Sequence, residues 1–158
     1  MAFEPDRVTN DRWLARIAME DAVCAGLFIA ETDPDGSESK VEVAKVIKML
    51  ESSDFASLRH RQIYGVCKQL HANGQQILVP TVTLELAKHG LLELCGDEVE
   101  LTQMVWRWFT ALGITAYARQ MLEEAKTDQR QATAQDQISS ITKGIPNGNA
   151  TNRPHWRA

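Results

Sequence analysis

The chain has 158 residues, of which 44% are hydrophobic and 24% are charged, and its formal net charge is −4 at pH 7. These values are typical of one ordinary globular domain without room for an additional ATPase domain, and the acidic balance disfavours one broad basic face for nucleic acid. No apolar run approaches the roughly 20 residues that span a bilayer, and the first residues are polar, so we predict a cytoplasmic protein without a membrane partner.

The first third of the chain contains two helical patterns and a loop. We expect residues 1–9 to form a flexible lead and a helix to run from about residue 10 or 11 to Ala30. The segment Glu31–Lys40 predicts a loop, because Pro34 and Gly36 within it interrupt any helix. That helix is indicated by apolar residues three and four apart, which are Val43, Val46, Ile47 and Leu50.

Two further helices, each followed by a glycine, are predicted in the middle of the chain. Asp54 stands where an N-cap would stand, and apolar residues recur from Phe55 up to Asn73-Gly74. Thr81 can cap the next helix, which ends at Gly90 because glycine is common just after the last helical residue. Residues 10–96 are therefore predicted to form a globular helical subdomain.

The pattern between residues 97 and 140 predicts a helical hairpin. An apolar stripe indicates one helix from Asp97 to about Leu112, Gly113 makes the turn, and a second helix runs from about Thr115 into the 130s. Two helices joined by so short a turn should lie antiparallel. The second helix is too polar beyond Met121 to pack along its whole length, so its distal half is either solvated or pairs with another chain.

Aromatic residues concentrate in this hairpin. Trp106 and Trp108 are two residues apart, so on a helix their side chains would point about 200° apart and could not both face one narrow core. One of them should therefore be exposed, and an exposed Trp is a common interface anchor.

The segment 141–158 is rich in Gly, Asn, Thr and Pro and predicts a flexible tail. It contains Arg153, Trp156 and Arg157, which either contact a partner or a nucleic acid or have no role. Arg59 and Arg61 are the other candidates for such contacts, although a structural role is the stronger interpretation for the sequence around His60.

No pattern of catalytic or ligand-binding residues is found. The sequence has no G-x-x-x-x-G-K-[ST] run for nucleotide phosphates and no plausible triad, so we predict no enzymatic activity and no cofactor. Cys67 and His71 have a spacing that can hold zinc, but a second pair is missing, so we predict no metal site. Cys24, Cys67 and Cys95 lie in apolar patterns and should be buried, reduced thiols.

An ordered series of residues resembles the N-terminal domain of DnaB-type replicative helicases. The matching elements are Glu20-Asp21-Ala22-Val23-Cys24-Ala25-Gly26-Leu27, Asp54-Phe55, His60-Arg61-Gln62-Ile63-Tyr64, Asn73-Gly74, Ile77 with Thr81-Val82, Gly90 with Leu92, and Ala116-Tyr117-Ala118 with Met121 and Glu123-Glu124. The resemblance covers about residues 17 to 140. It implies an all-α fold, namely a small globular helical bundle followed by an antiparallel helical hairpin.

The resemblance also implies a function in DNA replication. In that family the domain forms the collar of the helicase ring, self-associates through the hairpin and offers a surface to primase. By resemblance, this chain would form a homo-oligomer and bind a replicative helicase, a primase or both. The hairpin residues expected at the self-association contact are Met104, Trp106, Trp108, Phe109, Tyr117 and Met121.

Two alternatives remain open from the sequence. The first is a helical regulator that binds nucleic acid weakly through its arginines, and the second is the helicase-binding domain of a primase, which has a similar helical fold. A third question is whether the chain is part of a longer helicase, a separate accessory protein or an antagonist of the collar.

Overall fold

A computed structural model describes residues 5–108 and 110–143, and all regular structure in these residues is helical. This confirms the all-α prediction. The helices are α1 (Pro5–Thr32), α2 (Ser37–Met49), a 3-10 turn (Ser52–Asp54), α3 (Leu58–Ala72), α4 (Val79–Lys88), α5 (Leu92–Cys95), α6 (Glu98–Arg107) and α7 (Ile114–Lys143). Among the described helices, none is both long and apolar enough to cross a membrane.

Helix starts differ from the predicted ones for local physical reasons. α1 begins at Pro5, within the predicted lead. Proline has no backbone N–H and suits the first helical position, because an N–H there would have no partner within the helix. Asp54 lies in the 3-10 turn and forms a capping box with Glu51, while Ser57 caps α3 by accepting from the His60 amide at 3.4 Å. The predicted cap at Asp54 was therefore wrong by three residues.

The start of α4 corrects a second predicted cap. The helix begins at Val79 after Leu78, whose side chain makes no capping hydrogen bond, and Thr81 lies inside the helix. Pro80 lies in the first turn, where its missing N–H costs nothing, so the helix begins earlier than a hydroxyl cap at Thr81 would allow.

The two glycines end their helices as predicted. Gly74 and Gly90 adopt positive φ angles of 68° and 69°. After each glycine the chain folds back, so that the Gln75 amide donates to the Leu70 carbonyl at 2.9 Å and the Leu91 amide donates to the Leu86 carbonyl at 2.9 Å. These are Schellman motifs, which satisfy carbonyls that the helix leaves without partners.

The middle of α1 is the centre of the core. Its residues from Ala22 to Phe28 are buried, and apolar residues from every other α-helix of the segment 22–121 pack into the same cluster. Gly26 permits a close approach, because a Cβ there would lie 2.7 Å from Ile114 Cγ2. Cys24, Cys67 and Cys95 are buried free thiols, as predicted, and burial raises the pKa of each.

The region predicted as a hairpin has unequal helices. α6 has 10 residues and ends at Arg107 rather than at Leu112, whereas α7 has 30 residues. Trp108 has extended backbone angles, and Gly113, with φ 84°, precedes the start of α7. α6 packs against α1 and α4. The chain divides into two compact units, the first ending at Glu123 and the second beginning at Glu124.

Candidate interaction surface

A buried carboxylate joins three helices next to the end of α6. Asp21 of α1 accepts hydrogen bonds from His60 Nε2 at 2.9 Å and from Trp108 Nε1 at 2.9 Å. Arg107 Nε and Nη2 each donate to the same carboxylate at 3.2 Å. Burial alone would raise the pKa of Asp21, but these donors lower it to about 2. We call Asp21, His60, Arg107 and Trp108 the Asp21 junction.

Glu20, the preceding residue, is in a different environment. It is fully buried, and its Oε1 accepts from the Ser57 amide at 3.0 Å, just before α3 begins. Its Oε2 accepts no hydrogen bond and lies 3.8 Å from Arg16 Nε. Burial raises the pKa of Glu20 more than the Ser57 amide and the nearby His60 and Arg16 lower it. Glu20 therefore fixes the start of α3 at the cost of burying a carboxyl group.

The residues predicted for the self-association contact have very different environments. Met104 and Met121 are completely buried in the core of their own chain, so their side chains lie beneath the protein surface. Trp108 is half-buried, and its ring meets the edge of the Tyr117 ring with centroids 6.4 Å apart. Phe109 lies outside the described residues.

Trp106 is the most exposed large apolar side chain among the described residues, at 77%. Val99 is 63% exposed and lies seven residues earlier on α6, which places both side chains on one side of the helix. Leu101 and Met104 are buried on the opposite side. We call the side formed by Val99, Gln103 and Trp106 the exposed face of α6.

The two arginines predicted to contact a partner make hydrogen bonds within their own chain. Arg59 Nε donates to the Cys95 carbonyl at 2.8 Å, which attaches α5 to α3. Arg61 donates to the Phe55 carbonyl from Nε at 3.3 Å and from Nη2 at 2.9 Å. Both side chains therefore have structural roles, and their contact with a partner stays a prediction. The other candidates, Arg153, Trp156 and Arg157, lie outside the described residues.

Cys67 and His71, whose spacing could hold zinc, do not face one shared site, because Cys67 is buried and His71 is exposed. Across the described residues, no group of three or more His, Cys, Asp or Glu side chains is arranged to hold a metal ion.

Sequence reasoning did not identify the Asp21 junction. The available signal was an acidic pair, Glu20 and Asp21, in the middle of an otherwise apolar stretch of α1. Charged residues are rarely buried without partners, so such a pair indicates a buried hydrogen-bond network. Its donors come from positions 39, 86 and 87 residues away, and the sequence could not identify them.

Comparisons with known proteins agree with this fold. A family model described as the DnaB-like helicase N-terminal domain matches residues 15–123. The replicative DNA helicase DnaB of Mycobacterium leprae (strain TN) is 28% identical over 109 residues, which are 69% of this chain and 17% of that protein. The replicative DNA helicase DnaB of Nostoc sp. (strain PCC 7120 / SAG 25.82 / UTEX 2576) is 29% identical over 108 residues, covering 68% of this chain and 11% of that protein.

A solved structure matches the fold as well. The crystal structure of the N-terminal domain of DnaB helicase from Mycobacterium tuberculosis superposes with a TM-score of 0.67 and 24% identity. The match covers 83% of this chain and 86% of the solved chain. The chain therefore spans a small part of the length of the two curated relatives, whereas the structural match covers most of the solved N-terminal domain.

Proposed function

Because the chain belongs to the family of DnaB-like helicase N-terminal domains, we propose that it is a non-catalytic protein-interaction domain in DNA replication. In this proposal it self-associates through the segment 97–140 and binds a replicative helicase, a primase or both. We propose no ATP hydrolysis for the chain, since its sequence contains no phosphate-binding glycine-rich run.

The observation that carries the proposal is the exposed Trp106 on a helix that is fixed to the core. An aromatic side chain that is 77% exposed leaves a large apolar area in water, and Trp is enriched among the residues that dominate binding energy. α6 is held by buried Leu101 and Met104, and the Asp21 junction fixes its end. A surface held in this way loses little conformational entropy when a partner binds.

The structure offers less support for nucleic acid as the main partner. Arg59 and Arg61 already bond to backbone carbonyls, and the whole sequence has a net charge of −4. Phosphate binding depends on clustered, accessible cations. We therefore propose protein rather than DNA as the principal partner.

The solution mass of the purified chain, alone and mixed with the C-terminal domain of primase from the same organism, tests the proposal. We expect size exclusion with light scattering to show a dimer or larger oligomer whose mass increases with primase. Trp106→Ala should weaken self-association. Leu84→Ala is its matched control, because Leu84 is 57% exposed on α4 and lies outside the hairpin segment. The same measurement is repeated with the replicative helicase of that organism, and a monomer that binds neither primase nor helicase at any concentration would contradict the proposal.

A further inference from the structure

We propose that the start of α3, together with α5, is a docking surface for an acidic amphipathic helix of a partner protein. The surface consists of Leu58, Arg59, Arg61 and Leu94, and we call it the Leu58 patch. It lies outside the segment 97–140, so it differs from the proposed self-association contact. The inference rests on the proposed function only in taking a protein as the partner.

Two exposed leucines form the apolar centre of the patch. Leu58 is the first residue of α3 and is 50% exposed, and Leu94 lies in α5 and is 39% exposed. The residues that follow them, Arg59 and Cys95, are joined by two hydrogen bonds. Arg59 Nε donates to the Cys95 carbonyl at 2.8 Å, and the Cys95 thiol donates to the Arg59 carbonyl at 3.8 Å. Because their neighbours are bonded to each other, the two leucines are held close together at the surface.

Two arginines flank Leu58 on α3. At about 100° per residue, Arg59 lies to one side of Leu58 and Arg61 to the other. Both arginines are half-buried, and each donates to a backbone carbonyl, Arg59 to Cys95 and Arg61 to Phe55. These bonds fix the guanidinium groups but leave their charge in place, because a carbonyl is neutral. In the part of the chain that the structure describes, neither arginine forms an ion pair with a carboxylate.

Arginines in the first turn of a helix are unfavourable by themselves. The N-terminal end of a helix is electrically positive, so acidic residues are favoured there. The first turns of α2 and α6 contain Glu38, Glu98 and Glu100, whereas the first turn of α3 contains no acidic residue. The carboxyl group that does meet the start of α3, that of Glu20, is fully buried. A local preference that is broken at the surface in this way is typical of a functional position.

The chemistry of the patch selects its partner. Exposed leucines need apolar side chains opposite them, and a helix with apolar residues three and four apart presents such a row. The two arginines favour carboxylates beside that row, because a guanidinium can bind a carboxylate through two parallel hydrogen bonds. Glu93 is exposed next to Leu94, so the positive charge is confined to the α3 side of the patch. A helix with one apolar face that is bordered by Glu or Asp meets these conditions.

Two synthetic peptides test the patch on the full chain. The acidic peptide is a helix of about 18 residues with leucines three and four apart on one face and glutamates elsewhere, and the basic peptide has lysines instead of glutamates. The net charge of the chain, −4, favours the basic peptide, so a preference for the acidic one must come from a local surface. By fluorescence anisotropy, we expect the acidic peptide to bind about tenfold or more tightly than the basic one, and less tightly as salt is added.

Leu58→Asp locates the binding on the chain. It removes the apolar centre and adds a charge of the same sign as the acidic peptide, and an acidic residue suits the first turn of a helix. Leu84→Asp is the matched control, because Leu84 is 57% exposed on α4. We expect Leu58→Asp to weaken binding of the acidic peptide by about tenfold or more and Leu84→Asp by less than about twofold. Circular dichroism checks that both variants are folded.

Arg61→Gln tests the charge separately. Glutamine keeps a donor for the Phe55 carbonyl but removes the positive charge. We expect the acidic peptide to bind about fivefold more weakly to this variant, with a smaller dependence on salt. Lys48→Gln is the control, because Lys48 is an exposed cation at the end of α2 and its removal should leave the affinity unchanged.

Each other result overturns the inference. A basic peptide that binds as tightly as the acidic one contradicts the charge argument, and equal weakening by the two aspartate variants indicates only general repulsion. If neither peptide binds at millimolar concentration, the Leu58 patch is not a docking surface. If Leu58→Asp abolishes self-association of the chain, the occupant is a second copy instead. The solution mass of the natural chain is measured separately, so failure of the peptide to bind leaves the proposed self-association standing.

Discussion

The Asp21 junction and the exposed face of α6 are adjacent in the chain but differ in their physical character. Trp106 belongs to the exposed face, and Trp108 belongs to the junction, where its indole N–H donates to Asp21. The junction satisfies a buried charge with four donor atoms, whereas the exposed face leaves apolar surface in water. Neighbouring residues that point in different directions therefore separate a stabilising contact, at Trp108, from the association that we propose at Trp106.

The end of α6 decides how Trp108 reaches the junction. A helix that continued through Trp108 would present the two tryptophans about 200° apart. The helix instead ends at Arg107, and Trp108 is extended, which lets its ring lie between Asp21 and Tyr117. Substitutions in the junction and core should therefore change the free energy of unfolding, and substitutions on the exposed face should change association.

Met104→Ala should give the largest loss of stability, on the order of 3 kcal/mol, because it leaves a cavity under α6. Met104 is completely buried, although it was predicted at the self-association contact. Urea unfolding followed by circular dichroism measures the loss, with Gln103→Ala on the exposed side as the control. Unchanged unfolding with weaker association would show that Met104 acts at the interface.

Asp21→Asn should lower the free energy of unfolding by about 2 kcal/mol at neutral pH, because charge-assisted hydrogen bonds are lost and Arg107 keeps its charge. The Trp108 indole N–H signal in NMR spectra should shift and exchange faster with solvent. Trp13 and Trp106 provide internal controls, since both are exposed. An unchanged Trp108 signal would contradict the junction.

Acid should remove the same stabilisation from the natural chain. The pKa of Asp21 is about 2 in the folded state against an ordinary 3.8, so its contribution of about 2 kcal/mol is complete above pH 4 and is lost as the pH falls toward 2. The raised pKa of Glu20 acts in the opposite direction, since the folded state holds that proton more tightly and loses this advantage as the pH rises above 4.5.

Unfolding measured between pH 2 and pH 6 separates the two acids. The stability difference between the natural chain and Asp21→Asn should shrink as the pH falls, whereas Glu20→Gln should raise stability relative to the natural chain as the pH rises. A difference for Asp21→Asn that does not vary with pH would contradict an ionised Asp21.

Glu42→Ala should cost about 1 kcal/mol, the usual value of a helix cap. The Glu42 carboxylate reaches from α2 to the start of α7, where it accepts from the Thr115 amide at 3.2 Å and from the Thr115 hydroxyl. The Thr115 hydroxyl holds the pKa of Glu42 below its usual range, although partial burial opposes this. Glu42→Gln keeps an acceptor oxygen and should lose less; an equal loss would show that the charge, not the hydrogen bond, matters.

Trp106→Ala should change the free energy of unfolding by less than about 0.5 kcal/mol, the smallest effect in this series, because the side chain is exposed. The same substitution should raise the dissociation constant of self-association by about tenfold or more. Analytical ultracentrifugation over a range of concentrations measures the monomer and the oligomer of the natural chain and of the variant. Unaltered association would remove Trp106 from the interface.

The apolar patterns predicted much of the fold because burial leaves a periodic record in the sequence. The stripe from Val43 to Leu50 lies in the core, and Gly74 and Gly90 end their helices. Helix starts were predicted less well, because several polar residues near a helix start can cap it. Ser57 and Asp54 both make capping bonds, and only the path of the chain decides which of them begins α3.

The sequence by itself therefore determined the helical class, the positions of the glycine stops, the burial of the cysteines and the resemblance to a family. Each of these depends on local spacing or on backbone conformation, which neighbouring residues fix. Only the tertiary structure decided that α6 ends at Arg107, that Trp106 is exposed while Met104 is buried, and that Asp21 is ionised. Those outcomes depend on donors and packing surfaces from distant parts of the chain, and a carboxylate can be buried only where such donors converge.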